Sequence, residues 1–399
     1  MTAASLSMAG RMNELGTESA FEVLARAAAL QRQGRDIINL GIGQPDFPTP
    51  PHIVEAGRKA LADGHHGYTP ANGILPLREA VAADLHRRHG VSISPERVLV
   101  VPGGKVTMFF AIMMFGEAGT EIVYPNPGFP IYESVIRFSG AKPVPMALHE
   151  SKGFSFSADE VLALITPKTR LLILNSPANP TGGAVPKAEM DRLVAGLARH
   201  PKVAILSDEI YGEIVYDGTP HVSLTTYPEI ADRLILLDGW SKTYAMTGWR
   251  LGYGVWPESL FPYAERLAIN NHSCVNAAAQ FAGIAALTGP REPVERMVAA
   301  FAERRAYIIK ALNGLKGFRC ANPGGAFYAF PNISGTGLDS RTLQSRLLDE
   351  AGIATVSGTS FGAYGDGYLR FSYAASLDQL KAAVGRIADW LERKNDRAR

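Results

Sequence analysis

The sequence predicts an α/β protein: a large domain on a three-layer, mostly parallel sheet, and a smaller, discontinuous α+β domain. Between residues 51 and about 285, short apolar runs such as 98–101 and 171–174 alternate with helical segments such as 188–197. Near-continuous apolar strands separated by helices are typical of a parallel sheet that is covered on both faces. From about residue 290, charged helical segments alternate with short strands instead, which is typical of an α+β domain.

This change of pattern sets the expected domain limits. Residues 1–18 have no clear periodicity and are expected to form an N-terminal arm. The large domain is expected to cover residues 51–285, and the small domain residues 19–50 together with 286–399. The small domain is discontinuous because the short strand at 37–40 is expected to join its sheet, although that strand precedes the large domain in the chain.

The individual elements follow from apolar runs and from the residues that break them. In the first helix, Ser19 is expected to be the cap and Gly34 to follow the last turn. Expected strands of the large domain lie at 98–101, 121–124, 171–174, 203–206 and 234–237, with one strand of opposite direction at 251–255. Expected strands of the small domain lie near 327–330, 354–356 and 369–372.

Composition and charge argue against several classes of protein. Forty Lys and Arg against 38 Asp and Glu leave a net charge of +2, so there is no electrostatic reason to expect nucleic acid or an anionic membrane as partner. No window approaches 18 uninterrupted apolar residues, so no membrane span is expected. Two cysteines make neither a disulfide framework nor a zinc motif. This cysteine usage makes a cytoplasmic, reducing location the default and gives no reason to expect a metal. Arg11 and Glu14 stand where a secretory signal would need an apolar run, so no signal peptide is visible.

The stretch 241–250 carries the clearest chemical signal. It follows the apolar run 234–237, so Lys242 is expected just past the end of a buried strand, where loss of water lowers the pKa of an amine. Such a lysine can attack a carbonyl and hold it as a Schiff base. Arg250 offers a planar fork of donors for a phosphate, and Ser241 adds a hydroxyl. A carbonyl compound that also carries a phosphate points to pyridoxal 5′-phosphate.

The other predicted strand ends support the same cofactor. In an open parallel sheet, ligands bind outside the carboxyl ends of the strands. Each residue there also has an ordinary structural explanation, as a turn, a core aromatic or a helix cap, but their joint position favours one site. The residues that follow the successive strands are Gly104 and Lys105, then Phe129, then Asn179, then Asp208 and Tyr211.

Each of these residues is expected to serve one part of the cofactor or of the reaction. A buried Asp208 would keep the pyridine nitrogen protonated, while Tyr211 and Asn179 would donate to the phenolate oxygen of the ring. Phe129 would stack on the ring face. Lys242 would be the general base and acid of the proton shift.

The remaining candidates bind anions. Gly104 and Lys105 begin a helix, and their backbone groups would hold the phosphate together with Ser241 and Arg250. Arg370 is expected at the end of a small-domain strand and could pair bidentately with the α-carboxylate of a substrate.

Together these motifs resemble the class I/II aminotransferases, which are fold type I pyridoxal phosphate enzymes. The resemblance rests on 241–250, on the Asn-Pro-Thr-Gly stretch at 179–182 and on the Asp-x-x-Tyr pair at 208 and 211, and it extends from the 41–47 motif to Arg370. The chain looks most like the bacterial aspartate and aromatic aminotransferases. The resemblance implies a ping-pong transfer of an amino group between an L-amino acid, with aspartate, glutamate or aromatic donors favoured, and a 2-oxo acid.

The resemblance also assigns further residues. It implies that Gly43, Asn179 and Arg370 bind the substrate carboxylate. It implies a homodimer with shared active sites, in which Tyr68 reaches the phosphate of the neighbouring subunit. It implies that Lys105 can meet a distal carboxylate, although a solvated lysine at the start of a helix would give the same sequence.

Three departures from the family pattern matter. Phe129 stands where Trp or Tyr is usual, so an indole or phenol contact to substrate is lost, and Gly239 replaces a serine, which removes one phosphate donor. The segment 271–280 differs from the usual Ser/Thr-rich version, which leaves side-chain specificity open. Two other functions are compatible with the same motifs. One is a pyridoxal phosphate-dependent C–S β-lyase or a related synthase, which would release ammonia and pyruvate without a 2-oxo acid acceptor. The other is a sensor domain without catalysis, although such regulators carry a DNA-binding domain and nothing in the first 40 residues resembles one.

Overall fold

The strands of the protein follow the predicted order, with one addition. A computed structural model describes residues 6–218 and 220–397. Within these residues the strands are β1 (Ile38–Asn39), β2 (Val98–Val101), β3 (Glu121–Asn126), β4 (Lys142–Ala147), β5 (Thr169–Asn175), β6 (Ala204–Asp208), β7 (Leu234–Gly239), β8 (Gly252–Val255), β9 (Tyr328–Ala329), β10 (Ile353–Ala354), β11 (Val356–Ser357) and β12 (Leu369–Ser372).

Helices connect most of these strands. They are α1 (Ser19–Arg32), α2 (Pro51–Ala62), α3 (Leu75–His89), α4 (Lys105–Phe115), α5 (Ile131–Ser139), α6 (Ala158–Leu164), α7 (Lys187–Leu197), α8 (Trp240–Thr243), α9 (Phe261–Asn271), α10 (Ala277–Thr288), α11 (Glu292–Asn313), α12 (Ser340–Arg346) and α13 (Leu377–Arg397). A π-helical turn, Leu347–Ala351, continues α12. None of the helices in the described ranges is long and apolar enough to cross a membrane.

The large sheet has seven strands in the order β2-β8-β7-β6-β5-β3-β4. All neighbours are parallel except β8, which is antiparallel to both β2 and β7, as the sequence predicts. The edge strand β4 is the one that the sequence analysis missed. It contains Pro143 and Pro145, which cannot donate to a ladder, and an edge strand tolerates them because one side needs no partner.

Side chains of the sheet point alternately to two helical layers. In β5, Leu171 and Ile173 pack in the apolar cluster that contains residues of α4, α5 and α9. Leu172 and Leu174 point the other way, into a cluster with residues of α6 and α7. Near β2 and β8, α3 and α10 complete that second layer. The predicted three-layer arrangement is therefore confirmed.

The C-terminal strands form two small sheets. Strand β1 pairs in parallel with β10, and β12 lies between β11 and β9 in an antiparallel sheet. Ile38 and Leu40 share one apolar cluster with α11, α12 and α13, so the N-terminal strand packs with the C-terminal third as predicted. The expected strand at 354–356 is interrupted at Thr355 and belongs to two ladders. The fold class is confirmed, and the domain limits stay a prediction.

The N-terminal segment contacts α5, one of the helices that cover the large sheet. Residues Gly10–Glu14 form a 3-10 turn, and the backbone N–H of Gly16 donates to Ser134 Oγ at 2.9 Å. Ser19 is not the cap expected from the sequence. It is the first residue of α1, and Glu18 occupies the cap position without making a capping bond. Gly34 does follow the helix, with a φ of 84° that glycine adopts without strain.

Candidate active site

One cavity of about 460 Å³ collects the predicted residues beyond the carboxyl ends of β5, β6 and β7. Eleven of the twelve predicted site residues line it: Gly43, Gly104, Lys105, Phe129, Asn179, Asp208, Tyr211, Ser241, Lys242, Arg250 and Arg370. The twelfth, Tyr68, is 94% exposed and lies outside the cavity. No cluster of His, Cys, Asp and Glu suited to a metal occurs among residues 6–218 and 220–397.

Lys242 lies in the short helix α8, directly after the end of β7. Its Nζ donates to the carbonyl oxygen of Gly43 at 2.6 Å and lies 5.9 Å from the ring centre of Tyr211. Burial, together with the positive charge of Arg370, lowers the pKa of Lys242 to about 8. Its amine is therefore partly neutral near neutral pH, which a nucleophile or general base requires.

Asp208 is the last residue of β6, and its carboxylate is buried in the wall of the cavity. The hydroxyl of Tyr132, in the first turn of α5, donates to Oδ2 at 2.6 Å, and the N–H of Ile210 donates to Oδ1 at 3.3 Å. Burial nevertheless raises the pKa of Asp208 to about 6, because these hydrogen bonds and the charge of Lys242 only partly offset the loss of water.

Arg370, on β12, is 3% exposed and reaches the cavity from the small sheet. Its Nη1 donates to Asn179 Oδ1 at 2.9 Å, and its Nη2 donates to the Gly41 carbonyl at 2.5 Å. Its Nε is buried and has no hydrogen-bond partner among the described residues. A buried donor without a partner is costly, which indicates that a ligand anion completes this group.

Three further contacts hold the predicted residues in place, and the sequence analysis missed each of them. The hydroxyls of Tyr211 and Tyr328 lie 2.7 Å apart, and burial raises the pKa of Tyr211 well above its usual range. Asn175 accepts from the backbone N–H of Asn179 at 3.0 Å and donates to the carbonyl of Asp208. A Cβ at Gly43 would lie 2.1 Å from the Tyr328 hydroxyl, so only glycine allows that approach.

An anion cradle lies where α4 begins. Gly104 precedes α4, so the free N–H groups of the helix and its dipole face this end of the cavity. Arg250 adopts a φ of 53° and Gly103 a φ of 93°. A Cβ at Gly103 would lie 2.1 Å from Arg250 Nη2, so the glycine leaves the space that the guanidinium occupies. Ser241 lines the same cavity.

Lys105 points into the cavity, but another residue of the chain already contacts it. Its Nζ lies 3.0 Å from Glu18 Oε2 and 5.1 Å from the ring centre of Phe129. Phe129 itself packs edge-on against Tyr132 at 5.6 Å. The sequence offered a ligand for a distal carboxylate or a solvated lysine, and neither interpretation included an ion pair with the N-terminal segment.

The chain matches known proteins over nearly its whole length. Residues 35–387 match the family model "Aminotransferase class I and II". The aspartate aminotransferase of Geobacillus stearothermophilus is 36% identical over 393 residues, which cover 97% of this chain and 99% of that protein. The aromatic-amino-acid aminotransferase 2 of Thermococcus litoralis is 38% identical, with 90% of this chain and 92% of that protein covered.

A solved structure agrees with these sequence matches. The crystal structure of the aspartate aminotransferase from Rhizobium meliloti superposes with a TM-score of 0.93 at 34% identity, covering 98% of this chain and all of that one. A match of this extent covers nearly the whole chain, not the fold core alone. The chain therefore belongs to the class I and II aminotransferase family, and the protein is an aminotransferase.

Proposed function

We propose that this aminotransferase uses pyridoxal 5′-phosphate to move an amino group between an L-amino acid and a 2-oxo acid by a ping-pong mechanism. We further propose that the favoured donors are aspartate, glutamate or aromatic amino acids, since relatives are named for aspartate and for aromatic amino acids. The observation that carries the proposal is Lys242, an amine with a lowered pKa that shares one cavity with Asp208 and Arg370.

The residues of the cavity fit this cofactor at three points. The raised pKa of Asp208 indicates a buried carboxylate that lacks a cation, which a protonated pyridine nitrogen would supply. The space at Gly103 and the start of α4 suit a phosphate beside Arg250 and Ser241. Tyr211 and Asn179 would donate to the phenolate oxygen, and Phe129 would cover a ring face. When bound, the cofactor supplies an electron sink for the charge that develops at the substrate α-carbon.

The side chains of the protein perform the proton transfer and the positioning. Lys242, with a pKa of about 8, can take a proton from the substrate α-carbon and return it on the far side of the amino nitrogen, as a 1,3-proton shift requires. Arg370 would bind the α-carboxylate through its free Nε, while Asn179 holds the guanidinium in place at 2.9 Å. Gly43 lines the same cavity, and its missing Cβ leaves the space next to the Tyr328 hydroxyl open.

The test of the proposal compares two lysine substitutions. Lys242→Ala removes both the amine and the proton shuttle, so we expect the visible absorbance to change and turnover to fall to a few per cent or less. Lys187→Ala, on the surface of α7, is the matched control and should leave both unchanged. Absorbance would be recorded after each of the twenty amino acids is added to protein purified with pyridoxal phosphate.

The same assay separates the alternative reaction. An aminotransferase stops after one half-reaction until a 2-oxo acid is supplied. Steady release of ammonia and pyruvate without an acceptor would instead indicate a β-lyase. Substantial turnover by Lys242→Ala would overturn the role proposed for the lysine.

We propose that the active form is a homodimer in which Tyr68 completes the site of the second subunit. Tyr68 is almost fully exposed, yet its neighbour Thr69 is held in place because Gln280 Nε2 donates to the Thr69 hydroxyl at 2.9 Å. The ring is therefore presented at a defined position, which suits a contact with a second copy. A cytoplasmic location stays a prediction from the sequence.

The dimer can be tested by mixing Lys242→Ala subunits with Tyr68→Ala subunits under limiting cofactor. If Tyr68 crosses the interface, one site of each heterodimer has both an intact lysine and an intact tyrosine, so activity returns. If Tyr68 serves its own chain, every site keeps one defect. No recovery, with the heterodimer shown to form, would rule out the shared site.

A further inference from the structure

The charges that line the cavity can be assigned one by one. Four cationic side chains and two carboxylates line it: Lys105, Lys242, Arg250 and Arg370, with Glu18 and Asp208. Under the proposed function, Lys242, Arg250 and Arg370 serve the amino group, the phosphate and the α-carboxylate, and Asp208 serves the ring nitrogen. Lys105 is then the one cation of the lining left for the side chain of a substrate.

Lys105 is not available as a free charge, because Glu18 Oε2 lies 3.0 Å from its Nζ. The Glu18 side chain is 21% exposed and that of Lys105 45%, so the pair lies at the mouth of the cavity, where water only partly screens it. Glu18 therefore occupies the place at which a second substrate carboxylate would meet Lys105.

The position of Glu18 is fixed by the segment that carries it. Two residues before it, the Gly16 N–H donates to Ser134 Oγ at 2.9 Å, and directly after it α1 begins. Ala20 and Phe21 of α1 line the same cavity. The N-terminal segment thus brings a carboxylate and an apolar surface to the side of the cavity that Lys105 and Phe129 share.

We propose that Glu18 is a specificity-determining residue that competes with a second substrate carboxylate for Lys105, so that the enzyme favours aromatic over dicarboxylic substrates. The proposal rests on the proposed function and adds a preference between the substrate classes left open there. A dicarboxylic substrate must break the ion pair and then lie beside a displaced carboxylate, since both negative charges need the same lysine. An aromatic side chain leaves the pair intact and packs against Phe21 and Phe129.

The test is Glu18→Gln, which keeps the shape of the side chain and removes its charge. Glu22→Gln is the matched control: Glu22 lies in the first turn of α1, accepts from the Thr17 hydroxyl at 2.6 Å and is outside the cavity lining. We expect Glu18→Gln to raise the ratio of kcat/KM for aspartate to kcat/KM for phenylalanine about tenfold. An effect of this size corresponds to the loss of one partly exposed ion pair. Glu22→Gln should leave the ratio unchanged.

A binding experiment gives a second readout without turnover. Succinate should bind the cofactor-loaded Glu18→Gln protein about tenfold more tightly than wild type, while 3-phenylpropionate should bind both alike, as measured by calorimetry. Adding Lys105→Met to Glu18→Gln should abolish the gain for succinate. An unchanged aspartate-to-phenylalanine ratio, or equal gains for succinate and 3-phenylpropionate, would overturn the proposal. Absence of transamination in the wild type would instead overturn the proposed function, while the succinate comparison would still test Glu18.

Discussion

Asp208 and Glu209 are adjacent in the chain and both buried, but their pKa values shift in opposite directions. Asp208 faces the cavity, and burial raises its pKa to about 6. Glu209 faces away from the cavity, where it lies 2.8 Å from His221 Nε2 and accepts from Ser207 Oγ at 2.8 Å and from the Leu224 N–H at 3.0 Å. Burial also opposes its charge, but the charge and hydrogen bond of His221 outweigh it and lower the pKa of Glu209 to about 2.

The difference shows that burial alone does not decide the state of a carboxyl group. Glu209 has its partners within the chain, so it stabilises the fold by tying the end of β6 to the segment at 221–224. Asp208 has fewer hydrogen-bond partners, so its carboxylate can still pair with a cation of a ligand. At the end of β6, Glu209 therefore stabilises the fold, whereas Asp208 faces the cavity and can take part in the reaction.

The comparison is tested most strongly by Asp208→Asn. Without the negative charge, the ring nitrogen of the proposed cofactor loses its partner, so kcat/KM should fall on the order of a hundredfold to a thousandfold. In protein without cofactor, the free energy of unfolding at pH 7 should rise, because the charge that is removed is one that burial penalises. The measurement is the rate of α-proton abstraction with α-deuterated and ordinary substrate. A rate equal to that of wild type would contradict the role of Asp208.

Glu209→Gln should have the opposite profile. The substitution removes a buried negative charge and leaves His221 without it, so the free energy of unfolding should fall by about 3 kcal/mol. Turnover of the folded protein should stay within a few-fold of wild type because Glu209 is outside the cavity lining. Urea titration measures the first effect and the half-reaction the second. A large loss of turnover in fully folded protein would show that the two carboxylates are coupled.

The pH dependence of stability should separate the two carboxylates in protein prepared without cofactor. The pKa of Asp208 is raised from 3.8 to about 6, so its contribution is present at low pH and is lost as the pH rises through 6. Compared with Asp208→Asn, wild type should lose ~2 to 3 kcal/mol between pH 4 and pH 7. The pKa of Glu209 is lowered from 4.5 to about 2, so its contribution is lost as the pH falls from 4.5 towards 2. Denaturant titrations from pH 2 to pH 7 measure the free energy of unfolding of wild type and of each variant. If wild type and Asp208→Asn showed the same dependence on pH, the raised pKa of Asp208 would be wrong.

Tyr132→Phe should produce the smallest of these effects. It removes the hydroxyl that donates to Asp208 Oδ2 at 2.6 Å, a bond that favours the charged carboxylate. A hydrogen bond to a charged group is worth about 1.5 to 3 kcal/mol. The bound cofactor would still stabilise the charged carboxylate in part, so we expect kcat/KM to fall only about tenfold. The acidic limb of the pH profile should move to higher pH. An unmoved limb would mean that Tyr132 does not control the carboxyl group.

The sequence predicted the residues that follow strand ends and missed those that support them. Lys242 and Asp208 could be found because a parallel sheet brings its carboxyl ends to one edge. Tyr132 and Tyr328 had no such signal: Tyr132 lies one residue inside α5, and Tyr328 lies on a two-residue strand in another sheet. Glu18 was missed because nothing in residues 1–18 relates them to Lys105, 87 positions later. Contacts of this kind depend on tertiary packing, which no local pattern encodes.

The fold shows the same division. The buried strands were found because their apolar runs are uninterrupted, as in β2 and β5. Strand β4 was not, because its two prolines and mostly accessible side chains match no strand pattern. Tyr68 is exposed in the single chain, so its contact with a second subunit stays a prediction.

The contact between Gly103 and Arg250 limits the order in which this site can change during evolution. An alanine at position 103 meets a backbone angle that disfavours it and a guanidinium nitrogen 2.1 Å from its Cβ. If position 250 first acquires a shorter side chain, the second obstacle disappears and only the first remains. The same replacement at 103 thus displaces the guanidinium in one genetic background and meets only the strained backbone angle in the other. A lineage that moves towards a weaker hold on anions is therefore expected to substitute position 250 before position 103.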